Sequence, residues 1–134
     1  MLTRRTKAPR SEQRCTLLRA GDKVMVMAGG NKNTRPLKGK VAKILRFEGM
    51  LGQRVVLEGL NMNTKHQRPR GPGKPGGKLQ VEGSMHVSNV MYYVEKLKRP
   101  VKLRVQRLDD GKKVRGYLEP KSKKFEQIVD EKKS

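Results

Sequence analysis

The sequence predicts an all-β fold: a small barrel with a protruding hairpin loop, a β extension and basic terminal tails. Three observations carry that prediction. Apolar residues recur in short runs with the period of a strand, and no long helical period interrupts them. All 14 glycines lie between Gly21 and Gly116, which confines turn chemistry to a central block. Hydrophobic residues make up 34% of the chain, enough for a modest core only, and closing the sheet removes edges that such a core protects poorly.

Taken in order, residues 1–20 read as a basic N-terminal arm and residues 21–94 as the barrel. Val24-Met25-Val26-Met27 follows the Gly21-Asp22 turn and makes a first strand. Gly29 to Lys38 is a loop, and Gly39 to Phe47 a second strand. Glu48-Gly49-Met50-Leu51-Gly52 turns the chain into a third strand, Arg54 to Leu60. Residues 65–79 form an exposed hairpin loop rich in proline and glycine. Leu79 to Glu82 and Met85 to Tyr93 complete the barrel strands. Residues 95–118 form the extension, where Val101, Leu103 and Val105 alternate with Lys102, Arg104 and Gln106. Asp110-Gly111 then turns that strand into Lys113 to Leu118, a hairpin signal. Residues 119–134 read as a charged tail, ordered by a partner if at all.

Charge decides the class of partner. There are 33 Lys and Arg against 12 Asp and Glu, a net charge of +21. A compact domain so charged repels itself, and the imbalance makes sense beside a polyanion. No apolar run is long enough to span a bilayer. The basic residues fall on loops and strands rather than along one helical face, which disfavours a membrane surface. Cys15 is the only cysteine, so an internal disulfide and a cysteine zinc site are excluded, and a reducing compartment is expected. No secretory apolar segment follows the start, although an Arg-rich, acid-poor opening also suits an organellar transit remnant.

Two stretches concentrate the basic residues. The first loop and the strand after it hold Lys32, Arg35, Lys38, Lys40 and Lys43, with no acid between Asp22 and Glu48. Gly39 stands where the loop becomes the strand; there it can take a positive φ or let an RNA backbone approach. The same residues would also make an ordinary solvated basic hairpin. The second stretch contains Lys65, Arg68, Arg70, Lys74 and Lys78 with no acid between Asn61 and Gln80. Its prolines stiffen an exposed loop, which lowers the entropy lost on ordering. A plain linker between two strands is the competing reading. His66 suits stacking on a base or a bond to phosphate. His66 and His86 lie far apart without cysteines or a carboxylate set, so no metal site is expected.

Aromatics are few, at 4% of the chain. Tyr92-Tyr93 is the candidate stacking platform, with core packing its competing role. Few rings and many cations point to folded RNA, recognised through shape and phosphate. Ser84, His86 and Ser88 share one strand at a spacing that builds no nucleophile–base pair. Gly71-Pro72-Gly73 lacks the strand-to-helix context of a phosphate loop. The chain is therefore expected not to be an enzyme and to need no cofactor.

The order of segments is also familiar. Gly21-Asp22-Lys23-Val24 followed by Leu37-Lys38-Gly39-Lys40-Val41 resembles a KOW motif. Val56 to Asn61, Lys65-His66-Gln67-Arg68-Pro69, Pro75-Gly76-Gly77, Val87-Ser88-Asn89-Val90 and Asp110 to Arg115 then follow. Together they resemble the bacterial-type large-subunit ribosomal protein family number twenty-four, over roughly residues 21 to 118. Departures fall at Gly30–Pro36, Arg46–Gln53 and Val94–Leu108.

The resemblance implies an SH3-like barrel on large-subunit ribosomal RNA, acting early in subunit assembly, with residues 65–79 near the exit of the nascent-peptide tunnel. It implies neighbouring large-subunit proteins as partners, nascent chains or chaperones at the exit as further candidates, and a monomer within the ribosome. A bacterial cytoplasmic ribosome is expected, with an organellar ribosome as the alternative. On this reading the rRNA contacts are Lys23, Lys32, Arg35, Lys38, Gly39, Lys40, Lys43, Lys65, His66, Gln67, Arg68, Arg70, Lys74, Lys78, Asn89, Lys112, Lys113 and Arg115. Arg4, Arg5, Lys7 and Arg10 of the arm would thread between RNA helices. Two rivals stand beside it: a KOW module working on a transcribing polymerase, and a general polyanion binder.

Overall fold

Valine-rich runs broken by glycine turns favour extended chain, because β-branched residues pack well on a pleated surface. The computed structural model describes residues 16–33 and 36–129, and these form an all-β molecule. Its strands are β1 (Lys23–Val26), β2 (Val41–Glu48), β3 (Arg54–Leu57), β4 (Met62–Gln67), β5 (Gly77–Glu82), β6 (Ser84–His86), β7 (Val90–Val94), β8 (Arg99–Val101), β9 (Leu103–Arg107), β10 (Lys113–Leu118) and β11 (Phe125–Gln127).

Six of them make an antiparallel, barrel-like sheet in the order β6-β3-β2-β1-β7-β8. The register of β2 on β3 shifts between Ile44 and Arg46, an irregularity of the kind that bends a strand. The sheet buries one face, where Val24, Val26, Ile44, Val55, Leu57, Met85 and Val90 meet. Leu18 from the N-terminal segment and Leu37 from the first loop fill the same core.

A second sheet, β11-β10-β9, follows on from the first across Lys102 alone. Tyr117 packs with Val94 and Val101, and Tyr92 touches both this cluster and the main core. Among the described residues, one ion pair ties the sheets. Both Arg115 Nη atoms donate to the Asp22 carboxylate, and Nη1 also donates to the Leu17 carbonyl at 3.1 Å. Asp22 in turn accepts the Arg19 amide at 2.8 Å.

Several elements differ from the sequence reading, most of them for a non-local reason. Met62–Gln67 was expected in part as loop, since its polar residues carry no alternating pattern; it is a strand because it pairs with β5. The expected strand Met85 to Tyr93 is interrupted by a single 3₁₀ turn, Val87–Asn89. There the His86 Nδ1 accepts the Ser88 amide, a local bond that competes with the sheet ladder. The Val101–Val105 alternation is shared between two sheets, which leaves Val105 at 45% exposure. Phe125–Gln127, expected in a charged tail, pairs with β10. Leu18, expected in the basic arm, is core at 6% exposure.

Candidate nucleic-acid interface

The loop between β1 and β2 is held from below. Leu37 is anchored in the core, the Gly39 amide donates to the Val26 carbonyl at 2.8 Å, and the Val26 amide donates to the Lys40 carbonyl at 2.9 Å. Gly39 has φ +85, and a side-chain carbon built there would meet nothing within 4 Å. The turn therefore leaves an open notch, flanked by the exposed side chains of Lys38 and Lys40. Lys43 projects from β2 directly opposite Lys23 of β1. Two like charges so placed repel, and Lys23 is turned to an exposed ion pair with Glu95. That hydrogen bond, then the Glu95 charge, holds the Lys23 pKa above its ordinary value. Among the described residues, Lys32, Lys38, Lys40 and Lys43 form no ion pair with a carboxylate.

Asn89 joins this region. Its carbonyl accepts the Met27 amide at 2.8 Å, and its side-chain nitrogen lies beside Gly29 at the root of the loop. Arg4, Arg5, Lys7, Arg10 and Arg35 lie outside the described residues.

The β4–β5 hairpin forms a second site. Six cross-strand pairs, Met62 with Glu82 through Gln67 with Gly77, carry it roughly 20 Å at the usual rise of a strand. Every residue of β4 is exposed, so the ribbon projects with both faces in solvent. Directly opposed residues share a face. His66 and Lys78 therefore sit on one side and Lys65 with Gln67 on the other. Arg68, Arg70 and Lys74 crown the tip, which closes through a 3.3 Å bond from the Arg70 amide to the Lys74 carbonyl. Gly76 is required there: a side-chain carbon would sit 2.5 Å from the Gln67 carbonyl oxygen and 2.7 Å from the Pro69 nitrogen.

The third group divides. Lys112 and Lys113 are exposed at the β9–β10 turn. Arg115, expected with them as an rRNA contact, is 6% exposed and bonded to Asp22 and Leu17. Its strand position alternates with Val114 and Gly116 and faces the barrel, which sequence spacing alone does not reveal. Two outward residues absent from the expected rRNA contacts are Arg104 and Phe125; the alternation around Leu103 is the available signal for Arg104.

No helix among the described residues is long and apolar enough to cross a membrane. No group of three or more His, Cys, Asp or Glu among them is placed to hold a metal ion.

A family model described as large ribosomal subunit protein uL24, C-terminal domain, matches residues 60–119. A protein of Geobacter metallireducens named large ribosomal subunit protein uL24 is 46% identical over 99 residues, 73% of this chain and 83% of that one. The chain belongs to the uL24 family. The same name is carried by a Nitrosococcus oceani protein, 39% identical over 84% of this chain and 96% of its own. It is carried too by a Chloroflexus aggregans protein, 47% identical over 55% of this chain and 61% of its own. The uL24 domain match takes in the β4–β5 hairpin and the strands through β10, and ends before β11.

Proposed function

We propose that the chain is a structural constituent of the large ribosomal subunit that binds large-subunit rRNA, acts early in subunit assembly, and sets its hairpin near the nascent-peptide tunnel exit. Family membership supports the first part. The observation that carries RNA binding is the notch at Gly39, open above and flanked by Lys38 and Lys40, with no carboxylate among the described residues paired to either, and Lys43 exposed further along β2. A phosphodiester can lie against glycine backbone there while the ammonium groups neutralise it, and each neutralised phosphate releases counterions.

The arm residues Arg4, Arg5, Lys7 and Arg10 and the hairpin residues Arg68, Arg70 and Lys74 extend the contact to other RNA segments. The partners are large-subunit rRNA and neighbouring large-subunit proteins, with nascent chains or chaperones meeting the hairpin tip. The setting is a bacterial-type ribosome.

The test is sedimentation of the tagged chain from a lysate, with and without a high-salt wash, joined to affinity for protein-free large-subunit rRNA. Near-stoichiometric recovery with large subunits is expected. If six to ten phosphates are neutralised, affinity for the RNA falls on the order of 10³–10⁵ between about 50 and 200 mM salt. Replacing Lys38 and Lys40 together by Ala weakens binding and leaves the melting transition in place. Recovery only in light fractions, or with polymerase, overturns the ribosomal reading, and a salt-insensitive affinity overturns the phosphate clamp.

A further inference from the structure

The second sheet has two unlike faces. Arg115 and Tyr117 point to the barrel, so the residues alternating with them point outward. Strand pairing gives that outer face residue by residue. Gly116 lies between Arg104 and Gln127, Val114 opposes Gln106, and Leu118 opposes Phe125. None of these paired outer positions is acidic, and Lys112 continues the face at the turn.

Phe125 does not stand upright on this face. A methyl at Gly116 would meet its Cζ at 2.5 Å and its Cε1 at 2.9 Å, besides striking the Glu126 carbonyl. The ring therefore leans diagonally over the middle strand and occupies the space that any side chain at position 116 would take. Strands in a sheet lie about 4.8 Å apart, so a ring over β10 sits roughly one strand spacing from the strand that carries Arg104. An inclined, half-buried ring beside an exposed guanidinium, on a sheet face with no acid at its described paired positions, is a platform for a flat anionic ligand. Unpaired RNA bases stack on such rings, and the cation answers the phosphate.

We propose that the outer face of the second sheet binds one unstacked RNA nucleotide, its base on Phe125 and its phosphate on Arg104. The family match covers the strands that carry Arg104 and Gly116 but stops short of the ring, because Phe125 and Gln127 lie beyond residues 60–119. The proposal rests on the rRNA-binding reading and adds to it a second, chemically different contact. The first is charge on phosphate, whereas this one is stacking.

The chain has no tryptophan, so Phe125→Trp places its one indole at the site, excited selectively beyond the absorption of the three tyrosines. Titrating that full-length variant with a short oligouridylate, and separately with protein-free large-subunit rRNA, should quench its emission. A fully paired RNA duplex should not. Phe125→Leu should lower affinity for the rRNA about tenfold at every salt concentration, since base–aromatic stacking is lost while charge is kept. Arg104→Ala should weaken binding and reduce the salt slope by about one.

Phe125→Leu that lowers the melting temperature yet leaves RNA affinity unchanged, with no quenching in Phe125→Trp, overturns the site; the ring would then only shield Gly116. That result leaves the rRNA reading intact if the parent chain still binds rRNA in a salt-dependent way. Failure of the parent chain to bind rRNA overturns both.

Discussion

Arg115 is the residue whose role the fold changes most, and its replacement is the sharpest test of the architecture. The guanidinium is 6% exposed and joined to Asp22 through both Nη atoms, with a further bond to the Leu17 carbonyl. Removing one member of such a buried pair strands a charge away from water, which costs about 3–5 kcal/mol. Arg115→Met keeps the length and apolar stem of the side chain, so it leaves Asp22 as the uncompensated group. The Arg19 amide still bonds that carboxylate, which places the expected loss near the lower end, about 3 kcal/mol. With a urea slope of roughly 1.5–2 kcal/mol per molar, the midpoint should fall by about 1.5–2 M.

A double-mutant cycle with Asp22→Ala isolates the pair and should give a coupling of about 1–3 kcal/mol. Hydrogen exchange should show the loss concentrated in β9–β11 and in the Leu17–Leu18 segment, since those are what the pair joins. An unchanged urea midpoint together with weaker RNA binding would refute the reasoning, because it would mean that Arg115 meets RNA rather than Asp22.

Gly116→Ala places a methyl against the Phe125 ring and the Glu126 carbonyl, and should cost about 1–3 kcal/mol, seen as faster hydrogen exchange in β11. Gly39→Ala meets no neighbour, so only the positive φ opposes it; a loss of about 1–2 kcal/mol in urea melts is expected. Its effect on rRNA affinity should be larger than that of an alanine at Gly59, also at positive φ with open space but outside the basic loop. The Tyr117 phenol is pushed up to about 12, first by burial and then by its hydrogen bond to Glu126. The folded protein thus holds this proton more tightly than the unfolded chain. Tyr117's contribution to stability is complete below about pH 10 and declines as pH rises toward about 12. Tyr117→Phe should flatten that part of the stability profile in circular-dichroism melts.

What could be read directly from the sequence was whatever local chemistry decides. Strand-length apolar runs set off by glycine turns determined an all-β class and the β1, β2 and β3 segments to within a few residues. A charge of +21 determined a polyanionic class of partner, and the Gly39 notch follows from a glycine placed between two lysines at a strand entry. The ordered motifs determined the family.

Tertiary structure decided what depends on residues far apart in the chain. Met62–Gln67 is a strand because β5 pairs with it, whatever its own propensity. Phe125–Gln127 leaves the charged tail because β10 offers an edge and Gly116 leaves room for a ring. Arg115 and Arg104 look alike in sequence, two arginines on neighbouring strands. One is turned to Asp22, 93 residues away, and the other to solvent. Side chains alternate faces along a strand, but only the packing of the second sheet on the barrel decides which face is inside.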